Sequence, residues 1–530
     1  MLRRNLMQGA AALGAASALP NFAIAQPANS RVLRFIPQSD IGVLDPIFTT
    51  AYVTRNHGLL VWDTLYGVDK DFKPQPQMVE GHTISNDGLR WELKLRDGLK
   101  WHDGAPVLVR DCVASIQRWQ KRDPIGQELA ARTDELSAAD DRTIVFRLKK
   151  PFPLLPDALG KVGSPAPFMM PERIAKTDAF QQITEYVGSG PFRFNNTESV
   201  RGSRFIYERF ADYVPRPGGT PSMISGPKVV NFDRVEWRVT PDGATAAAAL
   251  QAGEVDWWEN PPNDLLPPLR RDRNVGIERD TLGLLGFGRF NHMHAPFNNA
   301  KLRKAVLGAI EQSDFMTAAW GTERGAWADK VGFFPPNTPF ATDGGLSALT
   351  TPRDLDKVKR EVAASGYNGE KVVLLGATDF PIINALCLVG AEMFKKIGLN
   401  VDYVASDWGT VVQRRASREP ADKGGWSIFF TYWSAFDVIN PAVNQTVRGN
   451  GATGWFGWAD SPALEAQRTA WFDAADPAAQ VTAARRQQEI AFEEAPTMPL
   501  GQAFGSTAWR KNITGALSAS VPMFWNVKRG

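Results

Sequence analysis

The sequence of 530 residues is poor in cysteine and histidine, with two and five respectively. So few cysteines exclude a disulfide scaffold. An oxidising compartment would allow Cys112 and Cys387 to pair, but both stand in apolar helical patterns. We therefore interpret them as buried free thiols.

The chain also lacks a strong charge of either sign. It has 60 Lys and Arg against 57 Asp and Glu, a formal net charge of +3. That balance excludes the basic footprint of a nucleic-acid-binding protein. Beyond the first 25 residues no run of about 18 apolar residues occurs, as a transmembrane helix would need.

Motifs of catalysis are missing as well. The sequence contains no G-x-S-x-G, no H-E-x-x-H and no P-loop, which argues against common hydrolases and nucleotide-binding enzymes. His292-Met293-His294 offers two metal ligands, but no acid or cysteine stands within several residues to complete a site. We predict no enzyme, no catalytic residue, no metal site and no cofactor.

The first 25 residues have the three parts of an export signal. Arg3 and Arg4 are followed by a weakly apolar run and by Ala23-Ile24-Ala25. We expect cleavage near Ala25 and a location in the periplasm. The paired arginines favour the twin-arginine route, with an ordinary secretory signal as the alternative.

Hydrophobic periodicity predicts an α/β protein. Strict alternation predicts a half-buried strand at 89–96, and an apolar run predicts another within 229–239. A helix over 242–252 ends at Gly253, a common stop. In the second half, strands and a helix alternate, which is typical of a partly parallel sheet: strands at 371–375, 399–404 and 427–430, with helices at 382–397 and 474–494.

Five stretches in order resemble the family 5 solute-binding proteins of ABC transporters, the dipeptide and oligopeptide group. Each is weak alone, but their order and spacing are specific. They are Leu44-Asp45-Pro46, the run from Trp91 to Gly104, Gly188-Ser189-Gly190-Pro191-Phe192, Ala252-Gly253-Glu254-Val255-Asp256 and Pro296-Phe297-Asn298-Asn299.

The resemblance implies a periplasmic-binding-protein-like fold, with two lobes joined by a hinge and an extra subdomain on the first lobe. It places lobe I at 31–72, 189–285 and 490–530, the inserted subdomain at 73–188, and lobe II at 286–489.

The resemblance also implies a cleft between the lobes. On lobe I, the family lines the cleft with the segment after Leu-Asp-Pro, which is here Thr49, Thr50, Ala51 and Tyr52. On lobe II it uses a loop that here runs from Trp433 to Pro441. Peptide binders have an acid in that loop for the ligand ammonium. Phe436 holds the matching position and Asp437 follows it. Asp437 can therefore bind the ligand ammonium only if the loop shifts by one residue. Trp408 and Trp433 are the leading candidates for aromatic walls.

A group for a ligand carboxylate is not fixed by the sequence. The loop at 377–381, where some peptide binders have an arginine, contains Asp379 instead. Arg289, Arg414 and Arg415 remain candidates.

We predict a monomeric substrate-binding component of an ABC importer, which captures a small peptide or peptide-like solute and delivers it to permease subunits. The alternative is the same fold with a non-peptide ligand, such as a metal chelate, opine or sugar. An exported hydrolase and a holdase for unfolded chains are rival predictions from other classes.

Overall fold

The computed structural model describes residues 31–530, except positions 324, 337, 475 and 519. A seven-stranded sheet organises the first lobe. Its parallel centre joins the N-terminal strand to two later ones, and antiparallel strands extend both edges. In spatial order the strands are Val275–Arg279, Ser506–Arg510, Trp257–Trp258, Val32–Ile36, Arg234–Arg238, Arg204–Arg209 and Phe192–Val200.

A six-stranded sheet organises the second lobe. Its β-α-β unit pairs Lys371–Ala377 with Asn400–Ser406 in parallel, through the helix Pro381–Lys396. In spatial order the strands are Trp327–Ala328, Thr497–Ala503, Leu284–Phe290, Ile428–Ser434, Lys371–Ala377 and Asn400–Ser406.

The chain crosses between the two sheets at residues 280–283 and 504–505. The boundary predicted at residue 490 differs from this topology, because Thr497–Ala503 pairs with Leu284–Phe290 in the second sheet. The return to the first lobe therefore falls after Ala503. The boundary at residue 490 came from the family resemblance, which does not fix the end of a lobe to the residue.

A separate four-stranded antiparallel sheet is formed by residues 79–148, between the first and the later strands of the first-lobe sheet along the chain. Its strands are Val79–Ile84, Arg90–Leu95, Thr143–Leu148 and Thr133–Ala138. His102 links this segment to the Gly188-Ser189-Gly190 turn, with its ring nitrogens contacting Gly188 N and Gly190 O. Two of the five motifs therefore meet in one structural contact. Short hairpins complete the strands: Tyr66–Val68 with Pro74–Pro76, and Ile513–Thr514 with Lys528–Arg529.

Helices pack around these sheets. Those before residue 280 are Tyr52–Val61, Val109–Gln120, Pro124–Arg132, Leu155–Gly160, Glu172–Ala175, Gly243–Ala252 and Leu266–Arg271. Those after it are Ala300–Leu307, Gln312–Trp320, Ser347–Thr350, Leu355–Ala364, Pro381–Lys396, Trp408–Arg414, Ala435–Val438, Pro462–Phe472 and Pro477–Glu494. Among the described residues, no helix is long and apolar enough to cross a membrane.

Local chemistry explains several element ends. Asp242 caps the helix Gly243–Ala252 by accepting from Thr245 N, and Gly253 ends it with φ of 76°. The strand predicted at 229–239 is shorter, since only Arg234–Arg238 pairs with its neighbours. Val229 instead donates its backbone N–H to the Asn526 side chain. Cys112 and Cys387 are free and buried.

Candidate functional site

The residues predicted to line the cleft gather at the junction of the two lobes. A small cavity there, called the central cavity below, has a volume of about 20 Å³, enough for about one water molecule. The structure therefore has the two lobes closed on each other. The predicted residues on its wall are Thr50, Ala51, Tyr52, Trp408 and Trp433, joined by Gln38, Phe380, Ile383, Arg415, Thr431, Tyr432 and Trp455.

The segment that carries Thr49 to Tyr52 is held by the buried Asp45. Its carboxylate accepts the backbone N–H groups of Ile47 and Ile183 at 3.0 Å. Arg118 binds both carboxylate oxygens, at 2.7 and 3.1 Å. Such a bidentate pair fixes geometry as well as charge. The Asp of the Leu-Asp-Pro motif therefore has a structural role. It sets the start of the helix Tyr52–Val61, whose N-terminal end faces the other lobe.

A hydrogen-bond bridge across the lobes centres on the Tyr52 hydroxyl. It donates to Asp437 Oδ2 at 2.5 Å and accepts from Ser434 N at 2.5 Å. Burial raises the pKa of Asp437, while Lys161 opposes that rise. Asp437 Oδ1 is buried and makes no hydrogen bond with a described residue. The structure therefore places Asp437 beside Tyr52, outside the wall of the central cavity.

Phe436 and Thr49 also lie off that wall. Phe436 packs against Phe72, with ring centroids 5.1 Å apart. The Thr49 hydroxyl lies 3.3 Å from Arg415 Nη2, so it stands directly behind the cavity.

A half-buried carboxylate lies on one side of the central cavity. Glu259 Oε1 accepts from Asn56 at 2.7 Å and Oε2 from the Gln38 N–H at 2.8 Å. Burial raises the pKa of Glu259 to about 7. It lines a neighbouring space of about 40 Å³, the Glu259 cavity, which shares Gln38, Tyr52 and Tyr432 with the central cavity.

A buried guanidinium lies on the other side. Arg415 is 2% exposed and stacks on the rings of Trp408, Phe429 and Phe456 at 5.0 to 5.6 Å. Its Nη2 contacts the Thr49 and Thr50 hydroxyls, and its Nε makes no hydrogen bond with a described residue. Burial, together with the nearby Arg122, lowers the pKa of Arg415 to about 9.

Of the three arginines considered from the sequence, only Arg415 reaches the cavity wall. Arg414 donates to the carbonyls of Gly424 and Gly425. Arg289 is held by the Phe456 and Pro496 carbonyls and by Thr497. Asp379 accepts a hydrogen bond from Trp408 N at 2.7 Å, at the start of the helix Trp408–Arg414.

The backbones of the two lobes touch at a pair of glycines. A Cβ at Gly42 would lie 2.5 Å from Gly409 Cα. Two glycines at this point permit the closed arrangement of the lobes.

Comparison with known proteins agrees with this two-lobe geometry. Residues 73–455, more than half of the chain, match the model of bacterial extracellular solute-binding proteins, family 5, middle. The chain belongs to this family. Its fold is the α/β, two-lobe fold of periplasmic binding proteins, as predicted.

The relatives of this family 5 protein extend over nearly its whole length. A probable peptide ABC transporter periplasmic-binding protein of Sinorhizobium fredii is 37% identical over 541 residues, 99% of each chain. A glutathione-binding protein of Escherichia coli K12 is 25% identical over 509 residues, 90% of each.

Two solved structures share the fold of this family 5 protein. A periplasmic binding protein of Agrobacterium tumefaciens in complex with agropinic acid has a TM-score of 0.77 at 21% identity. It covers 94% of this chain and 99% of its own. A binding protein of Helicobacter pylori in complex with the peptide STSA also has a TM-score of 0.77 at 21% identity, covering 94% and 98%.

Among the residues of the site that sequence reasoning missed in this family 5 protein are Gln38, Glu259 and Tyr432. Tyr432 donates to Gln38 Oε1 at 2.6 Å across the lobes. An acid directly after the apolar pair Trp257-Trp258 was the one available signal for Glu259, because an acid at the end of a buried strand needs partners.

Proposed function

We propose that this protein captures a small peptide or peptide-like solute between its lobes and delivers it to the permease of an ABC importer. One observation carries the proposal. The closed cleft has a half-buried carboxylate, Glu259, on one side. On the other side it has a buried guanidinium, Arg415, that makes no ion pair with any described residue. An aromatic cavity separates them, so a solute with an ammonium and a carboxylate is complementary to it.

The relatives support the same class of ligand. The Sinorhizobium relative is named for peptide transport, the Escherichia coli relative for glutathione and the Helicobacter structure for a bound tetrapeptide. We propose Thr49, Thr50, Ala51, Tyr52, Trp408, Trp433, Phe436 and Asp437 as the ligand-contacting set, extended by Glu259 and Arg415. Within this set we propose that Asp437 acts through its bond to Tyr52, which joins the two lobes, and that Glu259 takes the ligand ammonium.

The proposed mechanism is a change in the population of closed molecules. The chain crosses between the lobes at two short connections, which act as the hinge. A solute that contacts both walls favours closure in proportion to its differential affinity for the closed form. Closure removes water, which strengthens every polar contact inside.

The second candidate is a non-peptide solute. The lobe II loop departs from the peptide-binding pattern at Phe436, and a structure with agropinic acid has the same TM-score as the peptide-bound one. In either case the protein acts as a monomeric periplasmic binder without catalysis. Its export signal, 1–25, lies outside the described residues.

Native mass spectrometry of gently purified mature protein tests the proposal. We expect a complex that loses a discrete small mass on denaturation, and the fragments of that mass separate peptide from non-peptide. Thermal shift with glutathione and trialanine follows, because a ligand that binds only the folded form raises the melting temperature. A protein that carries no solute, and that no member of a peptide and organic-acid library stabilises, contradicts the proposal.

A further inference from the structure

A second and larger space opens at the junction of the first lobe, the four-stranded segment and the second lobe. It has a volume of about 430 Å³ and is called the cationic pocket below. It shares Thr50 and Trp455 with the central cavity. The Thr50 hydroxyl, which lies 3.4 Å from Arg415 Nη2 and 3.3 Å from Trp455 Nε1, marks the boundary between the two spaces.

The charged side chains that line this pocket are all cations. Lys121, Arg122 and Arg418 come from two separate parts of the chain, and the described lining residues include no Asp or Glu. Aromatic rings form the rest of much of the wall, namely Phe48, Phe180, Trp455, Phe456 and Trp458.

None of these cations makes an ion pair within the described part of the chain. Arg122 Nη2 donates to the Phe48 carbonyl at 2.8 Å, and Arg418 Nη2 donates to the Ala452 carbonyl at 2.6 Å. Asp45 and Asp178 lie near enough to Arg122 to interact with it, but neither pairs with it, and Arg118 already binds both carboxylate oxygens of Asp45. Burial, together with nearby arginines, lowers the pKa of Arg122 to about 10 and that of Arg415 to about 9.

Such an arrangement attracts an anion. Arg122 is half-buried while Lys121 and Arg418 are exposed, so solvent screens part of the repulsion between these like charges and an anion would remove the rest. A guanidinium presents a planar fork of donors that matches a carboxylate. The aromatic faces of the pocket can contact the apolar part of the ligand that carries this carboxylate. Stacking on rings offsets part of the cost of burying Arg122, but it does not neutralise the charge.

We propose that the cationic pocket, with Arg415 behind it, binds the anionic end of the solute, so that the ligands of this protein are organic acids with an apolar or aromatic group beside the carboxylate. The proposal rests on the proposed function, since the solute enters through the same cleft. It adds the place of the anionic group: the carboxylate lies in the cationic pocket near Arg122 and Arg418, with any ammonium toward Glu259 as already proposed.

A matched pair of fluorescent probes tests the pocket without knowledge of the natural ligand. Anilinonaphthalenesulfonate carries an anionic group beside an aromatic system, and N-phenyl-1-naphthylamine lacks that group. We expect the purified mature protein to bind one equivalent of the sulfonate and to bind the neutral probe more weakly.

A double variant assigns the site. Lys121→Gln with Arg418→Gln changes two exposed side chains, and urea unfolding checks that the variant keeps the stability of the wild type. We expect it to weaken sulfonate binding by about tenfold or more, from the loss of two charge contacts, and to leave the neutral probe unchanged. The control is Lys395→Gln with Arg485→Gln, which removes the same charge from exposed helix positions of the second lobe.

The outcomes separate this inference from the proposed function. Absence of sulfonate binding, equal binding of both probes or an equal effect of the two double variants overturns the inference, whatever the solute library shows. Displacement of the sulfonate by trialanine and not by trialanine amide supports it and assigns the pocket to a peptide C-terminus. Displacement by succinate and not by trialanine supports it with a free organic acid as the ligand.

Discussion

A single methyl group at Gly42 is expected to wedge the lobes apart. The substitution Gly42→Ala places Cβ 2.5 Å from Gly409 Cα, 3.1 Å from its carbonyl carbon and 3.2 Å from its oxygen. Ordinary contacts of a Cβ begin at 3.4 Å. The neighbour is backbone, so no side chain can rotate away. The φ of Gly42 lies outside the left-handed region, so alanine brings no backbone strain of its own.

The size of the effect follows from these distances. To relieve the overlap, the backbones at Gly42 and Gly409 must move apart by about 1 Å, and overpacking of this kind costs about 1 to 3 kcal/mol. The cost applies only to the closed form. Closure is therefore disfavoured by about 5- to 150-fold, and ligand affinity falls by the same factor.

Isothermal titration with the solute recovered from the wild-type protein measures the loss of affinity, and urea unfolding of the ligand-free protein checks stability. The control is Gly81→Ala, because a Cβ at Gly81 meets nothing within 4 Å. If Gly42→Ala binds as tightly as Gly81→Ala, contact between Gly42 and Gly409 is not part of the ligand-bound state and the reasoning fails.

Two further substitutions probe the site. Tyr52→Phe removes a hydroxyl that serves both Asp437 and Ser434 N, so we expect the closed form to lose about 2 to 4 kcal/mol. This loss appears as weaker solute binding in titration, whereas Tyr207→Phe, which removes a hydroxyl inside the first lobe, leaves binding unchanged; equal binding by both variants contradicts the bridge. Glu259→Gln is expected to remove a pH dependence. Burial raises the Glu259 pKa from 4.5 to about 7, so between these values the folded carboxyl keeps a proton that the unfolded one has released. The free energy of unfolding of the wild type therefore falls by up to about 3 kcal/mol as pH rises through this window. Urea unfolding at pH 4.5 and 8 should show that fall in the wild type and a smaller one in the variant; equal falls refute the assignment.

Local patterns predicted the elements that depend on local chemistry. The strand expected at 371–375 is Lys371–Ala377, and the helix expected at 382–397 is Pro381–Lys396. Their apolar periods and end residues are contained within each segment. The strand expected at 89–96 is Arg90–Leu95 for the same reason.

The site could be predicted only in part, because its charges come from distant parts of the chain. The segment from Thr49 to Tyr52 and the tryptophans at 408 and 433 do meet at the lobe junction. Glu259 depends on partners at positions 38 and 56, and Arg122 meets Arg415 only through the packing of separate elements. No spacing along the chain encodes such contacts.

Hydrogen–deuterium exchange is the most direct test of a solute held between two closing lobes. The mature protein is compared after removal of its solute and after the recovered solute is added back. The predicted result is simultaneous protection of 49–55 on the first lobe and of 408–415 and 431–437 on the second. Protection confined to one lobe, or absent from all three segments while the solute is bound, would contradict capture between the lobes.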